Sequence, residues 1–407
     1  MKIGLLSYHS ACNMGATLQL LSTYCYLQNN GEEPVIINWV AEDLDRMYEK
    51  WAPLSEREMH KALRSQIWKE TRLCRTSEDI AHVIREEKID AVIIGSDAVA
   101  QHRPVLERLQ FSKKTILRLS SVTSDRIFPN PFWGTFNDYL EKPVPVAVLS
   151  ASSQDSMYQL TSPALKKKMR DSVLRYSYIS VRDEWTKQMI ASITRNRVVP
   201  EVTPDPVFAF NTNAGHLVPT FEQIQQKYNL PEKYFVLSFL NNQSVSQEWL
   251  TEFEALAAKQ GINCVSLPFA HKDSYGEFKH RIPMPLSPLE WFALIKYSAG
   301  YIGNNMHPVV VSLHNHVPLF SFDNYGLSTL NNRVTSDKSS KIKHVLSLAG
   351  LSEYRISILQ KKHWIAPADV LNRLLHFPTD QESIFAQERE SAYMKMMQQI
   401  LASIKKH

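Results

Sequence analysis

Short, continuous apolar runs that break at small or polar residues recur along this chain, and helical patterns separate them. Lys2 to Tyr8 opens the series. A polar loop through Asn13 and Gly15 follows, then a run in which Leu18, Leu21, Tyr24 and Leu27 keep the helical period. Pro34 to Asn38, Ala91 to Ile94, Val144 to Ser150 and Tyr178 to Val181 read as further strands, and Ser77 reads as the N-cap of a helix carrying Ile80, Val83 and Ile84. These strands are uninterrupted apolar runs rather than alternating ones, which predicts a parallel sheet covered on both faces.

The same pattern starts again later. Tyr234 to Leu240, Asn263 to Phe269, Ala299 to Gly303 and Val317 to Phe322 are strand candidates separated by helical stretches, so a second α/β domain is expected. Ser287-Pro288-Leu289-Glu290 has the spacing of a capping box with proline at the first helical position. Tyr393, Met396, Met397, Ile400, Leu401 and Ile404 recur at helical spacing and predict a last helix that packs back on a domain. The expected organisation is an N-terminal α/β domain over 1–212, a Pro- and Gly-containing linker over 213–232, a C-terminal α/β domain over 233–375 and a helical segment over 376–407.

Composition narrows the function classes. Apolar residues make up 44% and charged residues 21%, which is globular, and 407 residues exceed one ordinary core. The formal net charge of +5 is scattered, and its one tight cluster, Lys166-Lys167-Lys168, reads as a solvated helix face; nucleic acid is not an expected partner. Cys12, Cys25, Cys74 and Cys264 have neither metal-ligand nor disulfide-framework spacing, so no metal is expected and reduced, cytoplasmic thiols are. Ser7, His9, Ser10 and Asn13 interrupt the first apolar run too early for a signal peptide. No run approaches the roughly 18 apolar residues of a spanning helix, so membrane contact is expected to be peripheral at most.

Candidate chemistry gathers at strand ends, where α/β sheets bind ligands. After the strand at Gly300 comes Asn304-Asn305-Met306-His307-Pro308, and Pro308 at the first helical position would set His307 at the N-cap beside the positive end of the helix dipole. Asn13, Gly15, Ser96, Asp97, Ser152, Ser153 and Arg182 follow strands of the first domain in the same way. Gly15 would let a ligand approach the backbone, and the Arg182 fork suits a carboxylate or phosphate. Singly each has an ordinary role as well: His307 bonding a loop, Asp97 capping a turn, Asn13 making an Asx-turn, Arg182 pairing with Asp183 or Glu184. Two such domains place their shared cleft between the strand ends.

The same residues resemble a known family. Lys2-Ile3-Gly4-Leu5-Leu6-Ser7-Tyr8-His9 with Asn13-Met14-Gly15-Ala16-Thr17-Leu18-Gln19 is similar to the first strand and the N-x-G-A-x-L-Q helix start of the polysaccharide pyruvyl transferases. Ile93-Ile94-Gly95-Ser96-Asp97 resembles their I-G-S-D segment, Ile179-Ser180-Val181-Arg182-Asp183 their S-V-R-[DE] signature, and Asp205-Pro206 their D-P pair. The His307 unit is similar to the R-x-H-G or S-F-H-G segment, and Ser340-Lys341-Ile342 with Leu346 and Gly350-Leu351 to the segment after it.

The resemblance implies a two-domain GT-B-type fold with parallel sheets facing a central cleft. It implies transfer of pyruvyl from phosphoenolpyruvate to sugar hydroxyls of an exopolysaccharide or capsule, with a lipid-linked oligosaccharide as the acceptor partner at the inner face of the membrane. No cofactor enters that scheme. Residue by residue, His307 matches the acid/base histidine, Arg182 the donor-contacting arginine and Lys341 a donor-binding cation, with Asn13, Gly15, Ser96, Asp97, Ser152, Asn304 and Asn305 as the remaining substrate-binding candidates. Arg182→Ala is then expected to raise the donor KM and lower kcat. Asn305 stands where many members have arginine, Pro308 where they have glycine, and Gly95 to Gln101 lacks the Gln, Trp and Asn of their longer run. Phosphate binding would thus fall to Arg333, Lys338 or Lys341. The alternatives are a nucleotide-sugar glycosyltransferase of the same architecture and an inactive sugar-binding homologue.

Overall fold

Residues 1–110, 118–328, 334–360 and 365–406 are described by the structure, a computed structural model. The first half forms a parallel sheet from β1 (Lys2–Leu6), β2 (Glu33–Ile36), β3 (Ala91–Asp97), β4 (Val146–Ala151), β5 (Tyr178–Val181) and β6 (Glu201–Val202), in the order β2-β1-β3-β4-β5-β6. The second half repeats the plan with β7 (Tyr234–Ser238), β8 (Asn263–Ser266), β9 (His280–Arg281), β10 (Gly300–Gly303), β11 (Leu319–Asp323) and β12 (Arg355–Ser357), in the order β9-β8-β7-β10-β11-β12. The helices that matter for the site are α1 (Met14–Asn29), α2 (Glu42–Trp51), α3 (Glu184–Thr194), α4 (Pro288–Lys296), α5 (Met306–His314), α6 (Lys341–Leu348) and α7 (Thr379–Ile404).

The apolar runs became strands because each is covered on both faces: β3, β4, β7, β10 and β11 are buried at every residue. Helix α1 departs from its amphipathic reading, being buried from Met14 through Leu27. It packs on β3, on α4 and on the segment Pro206–Ala214, so one core cluster runs through both halves. The stretch expected as a linker is itself ordered, with a helix at Phe221–Tyr228 entered through a Thr220/Gln223 capping box and with Ile224 and Leu230 buried.

Helix α7 returns to the first sheet. Tyr393, Met396, Met397, Ile400 and Ile404 are its buried stripe, and Met396 Sδ accepts from Ser150 Oγ at 3.4 Å and from Ser180 Oγ at 3.3 Å, beneath β4 and β5. Each such side chain contributes on the order of 1.5–3 kcal/mol when withdrawn from water, which fixes the two halves against each other. No described helix is long and apolar enough to cross a membrane.

Two helix starts away from the site differ from the sequence reading. Thr76, not Ser77, caps the helix Ser77–Glu86, because Asp79 completes a capping box with Thr76. At α4 the Ser287 hydroxyl accepts from Leu289 N, but Glu290 turns away to Tyr228, 2.8 Å, and Lys227, 2.5 Å, so the second arm of the box is absent.

Candidate functional site

The order of strands reverses between β1 and β3 in the first sheet and between β7 and β10 in the second, and ligands of α/β sheets bind outside such points. Both points open on one cavity of about 330 Å³. Asn13, Gly15, Asp97 and Arg182 line it from the first half, and Asn305, His307 and Lys341 from the second.

The N-cap of α1 is Asn13, whose side chain accepts from Ala16 N at 3.2 Å. Gly15 is therefore in the first turn, and its missing side chain is occupied by a neighbour: a Cβ there would lie 2.0 Å from His307 Cγ and 2.1 Å from Nδ1. Only glycine lets the imidazole seat against α1. His307 is the second residue of α5 rather than its cap, which is Asn305, and Pro308 is the third. Proline is tolerated there because the N–H groups of the whole first turn have no intrahelical partner. His307 Nε2 is buried and has no hydrogen-bond partner among the described residues. Burial lowers its pKa, and Arg182 and Lys341 act the same way against the opposing pull of Asp205 and Asp97, so the ring is neutral at pH 7.

Arg182 does not pair with Asp183 or Glu184. Its guanidinium donates to Asp205 Oδ2 at 2.7 Å and to Asp97 Oδ1 at 3.1 Å, all three groups being buried. Asp183 instead caps α3, and Gln19 of α1 donates to Asp205 at 2.5 Å. Lys341 Nζ stands 3.8 Å from Asp97 Oδ1, a looser pairing. Burial raises the Asp97 carboxyl, but Lys341, Arg182 and His307 outweigh it and hold the group down to about 2. Burial and then Arg182 push the Lys341 ammonium down to about 8. Two cations and two carboxylates thus balance, and Lys341 is the cation most free to turn to an anion.

Three candidates fall behind the cavity wall. Ser96 is buried, with its carbonyl accepting from Ser7 Oγ; Ser152 Oγ donates to Asp183 at 2.8 Å. Asn304 is consumed by Leu240 N, Ser244 Oγ and the Phe322 carbonyl, holding β10 to its neighbours. Asn305 does face the cavity, with Tyr325 Oη at 3.5 Å from its Oδ1. Lys338 is exposed and away from the lining, and Arg333 lies outside the described residues. The sequence reading missed Trp51, His271 and Tyr325 in the lining, because only the chain's return brings them there. Gln19 and Asp205 each belong to a motif, but nothing in the sequence signals the bond that joins them.

The family model for polysaccharide pyruvyl transferase matches residues 13–325. The chain belongs to that family. No curated protein matches its sequence significantly. Among solved structures it is similar to the UDP-GlcNAc 2-epimerase of Neisseria meningitidis bound to UDP-GlcNAc, at TM-score 0.52 and 12% identity over 99% of this chain and 100% of that one. It is also similar to the spinosyn forosaminyltransferase SpnP, at TM-score 0.50 and 10% identity over 100% and 99%. At such identities the likeness concerns the fold, which is of the two-domain GT-B type. In this member of the pyruvyl transferase family, Gly15, Asp97, Arg182, Asn305, His307 and Lys341 line one cavity.

Proposed function

We propose that this pyruvyl transferase moves the enolpyruvyl group of phosphoenolpyruvate onto sugar hydroxyls of a cell-surface polysaccharide or its lipid-linked precursor, working in the cytoplasm at the inner membrane face. The observation that carries the reading is His307, seated on Gly15 at the N-terminal turn of α5 with an unpartnered Nε2 beside Asp97, Arg182 and Lys341. The donor carboxylate and phosphate are held by Lys341 and the free N–H groups of the α5 first turn.

In the scheme, protonation of the donor methylene carbon makes a methyl group and leaves a cation at the adjacent carbon. A sugar hydroxyl adds there and gives up its proton. Cleavage of the C–O bond to phosphate then regenerates a cation, a second hydroxyl adds, and its proton leaves with phosphate. One hydroxyl proton replaces the one delivered to carbon, so His307 can shuttle it and return to its starting state. The proton has a source. Because the cavity's ionic groups balance, a multiply charged donor brings negative charge that favours imidazolium, and binding is accompanied by proton uptake at His307.

Two measurements test this. At a hundred times its Kd, phosphoenolpyruvate stabilises the protein by about 2.7 kcal/mol, and phosphate is released when a sugar acceptor is present. Stabilisation by a nucleotide sugar instead, without any by phosphoenolpyruvate, moves the chain to the glycosyltransferase reading. The second is pH dependence. The Lys341 ammonium of the free protein loses its proton as pH rises through about 8, so donor affinity falls above that value, by up to about tenfold per unit while one charge is being lost. Lys341→Arg, which stays charged, keeps its affinity over the same range. A calorimetric titration series that is flat across pH 8 in the wild type removes Lys341 from donor binding.

A further inference from the structure

Part of the cavity wall is chemically unlike the charged part. Trp51, Phe269, His271 and Trp291 line the same space as His307, and Trp51 stays 45% exposed although it is a large apolar side chain. Trp51 ends α2 in the first half, and His271 stands between β8 and β9 in the second. Their rings stack at 4.0 Å and 16°, so an imidazole from one half covers an indole from the other. Tyr48 meets the same indole edge-on at 5.8 Å and 65°, fixing its orientation from within α2.

His271 is poorly provided for in this arrangement. Its Nδ1 is buried and has no hydrogen-bond partner among the described residues, and burial followed by Lys272 lowers its pKa, which keeps the imidazole neutral. A stack serving only to join the halves would bury the indole and pair the buried nitrogen; here neither holds. A neutral imidazole can donate or accept, and an indole presents a rigid, flat, apolar face at small entropic cost. A pyranose ring has the matching chemistry, with an apolar C–H face and a rim of hydroxyls. A small polyanion such as the donor has no apolar face to offer.

We propose that Trp51 and His271 hold a sugar ring of the acceptor: the pyranose C–H face takes the imidazole's place on the Trp51 indole, and His271 Nδ1 bonds a ring hydroxyl. This rests on the reading of the chain as a transferase acting on a polysaccharide, whose acceptor enters the cavity that holds His307. Since the stack spans both halves, the acceptor enters where their contact opens.

The test uses the whole chain and needs neither donor nor turnover. The indole N–H signals of the eight tryptophans are recorded with ¹⁵N label, Trp51 is assigned through Trp51→Phe, and methyl glucoside, methyl galactoside and methyl mannoside are titrated in. The Trp51 signal is expected to move saturably with at least one glycoside. Trp51→Ala is expected to weaken that glycoside about tenfold, the scale of one aromatic contact, while thermal stabilisation by phosphoenolpyruvate is unchanged. His271→Ala, a second variant, is expected to expose the indole and weaken the same glycoside.

A Trp51 signal unmoved by all three glycosides overturns the proposal, as does equal loss of glycoside and donor binding in Trp51→Ala, the mark of a merely structural stack. Failure here with phosphate release intact removes the sugar platform alone. A saturable Trp51 shift in a protein that never releases phosphate removes the donor chemistry alone.

Discussion

His307→Gln is expected to fold like the wild type and to bind phosphoenolpyruvate, the proposed donor, but to lose turnover by about 10² to 10⁴, the scale of a positioned general acid/base. Glutamine is close in size and hydrogen-bonding reach, yet it cannot exchange a proton, so the substitution isolates chemistry from packing. The structure supplies two internal controls close by: His314 is the last residue of α5, whereas His316, expected on the same helix, lies beyond its C-cap Asn315. His314 Nε2 accepts from Asn211 N at 3.0 Å, and burial pushes its pKa down to about 3, so it is a fixed neutral acceptor joining α5 to the first half. His316 Nδ1 lies 2.9 Å from Glu382 of α7. Replacing either should lower stability and leave kcat near wild type. Gly15→Ala is the steric counterpart, because its methyl would overlap the His307 ring and displace the ring without changing any ionisable group. Turnover on one acceptor with circular dichroism of each variant is the measurement. A His307→Gln protein with near-wild-type turnover, beside a dead His314 or His316 variant, assigns the chemistry elsewhere.

What the sequence disclosed divides along a physical line. The long strands were legible because burial on both faces writes itself as an unbroken apolar run, and Tyr178–Val181 was read to the residue. Glu201–Val202, His280–Arg281 and Arg355–Ser357 were not, since an edge strand of two or three residues needs only one neighbour and no apolar run. The site was legible as far as the rule that parallel strands end at ligands, which nominated Asn13, Gly15, Asp97, Arg182 and His307. The same rule nominated Ser96, Ser152 and Asn304, because sequence order shows that a polar residue follows a strand and not which way its side chain turns. Pairings across the fold were out of reach in principle. Gln19 with Asp205, Arg182 with Asp97, and Trp51 with His271 each join residues whose separation carries no local signal.

Arg182→Ala is expected to be foremost a stability variant, and this revises the kinetic effect that its motif implies. Its guanidinium is buried between two carboxylates, and removing one partner of a buried ion pair costs about 3 to 5 kcal/mol because a charge is left uncompensated. Asp97 keeps Lys341 at 3.8 Å, whereas Asp205 keeps Gln19 as its remaining side-chain donor, so Asp205 bears most of the loss. Arg182→Lys keeps the charge but not the two-pronged geometry and falls between. Arg182→Ala combined with Asp205→Asn removes the uncompensated charge and is expected to recover stability over Arg182→Ala alone. Urea unfolding of the three variants at neutral pH distinguishes the possibilities. If Arg182→Ala unfolds within about 1 kcal/mol of the wild type, the buried pairing is not what holds these elements together. Arg182 then returns to the role of a donor ligand whose loss appears in KM and kcat.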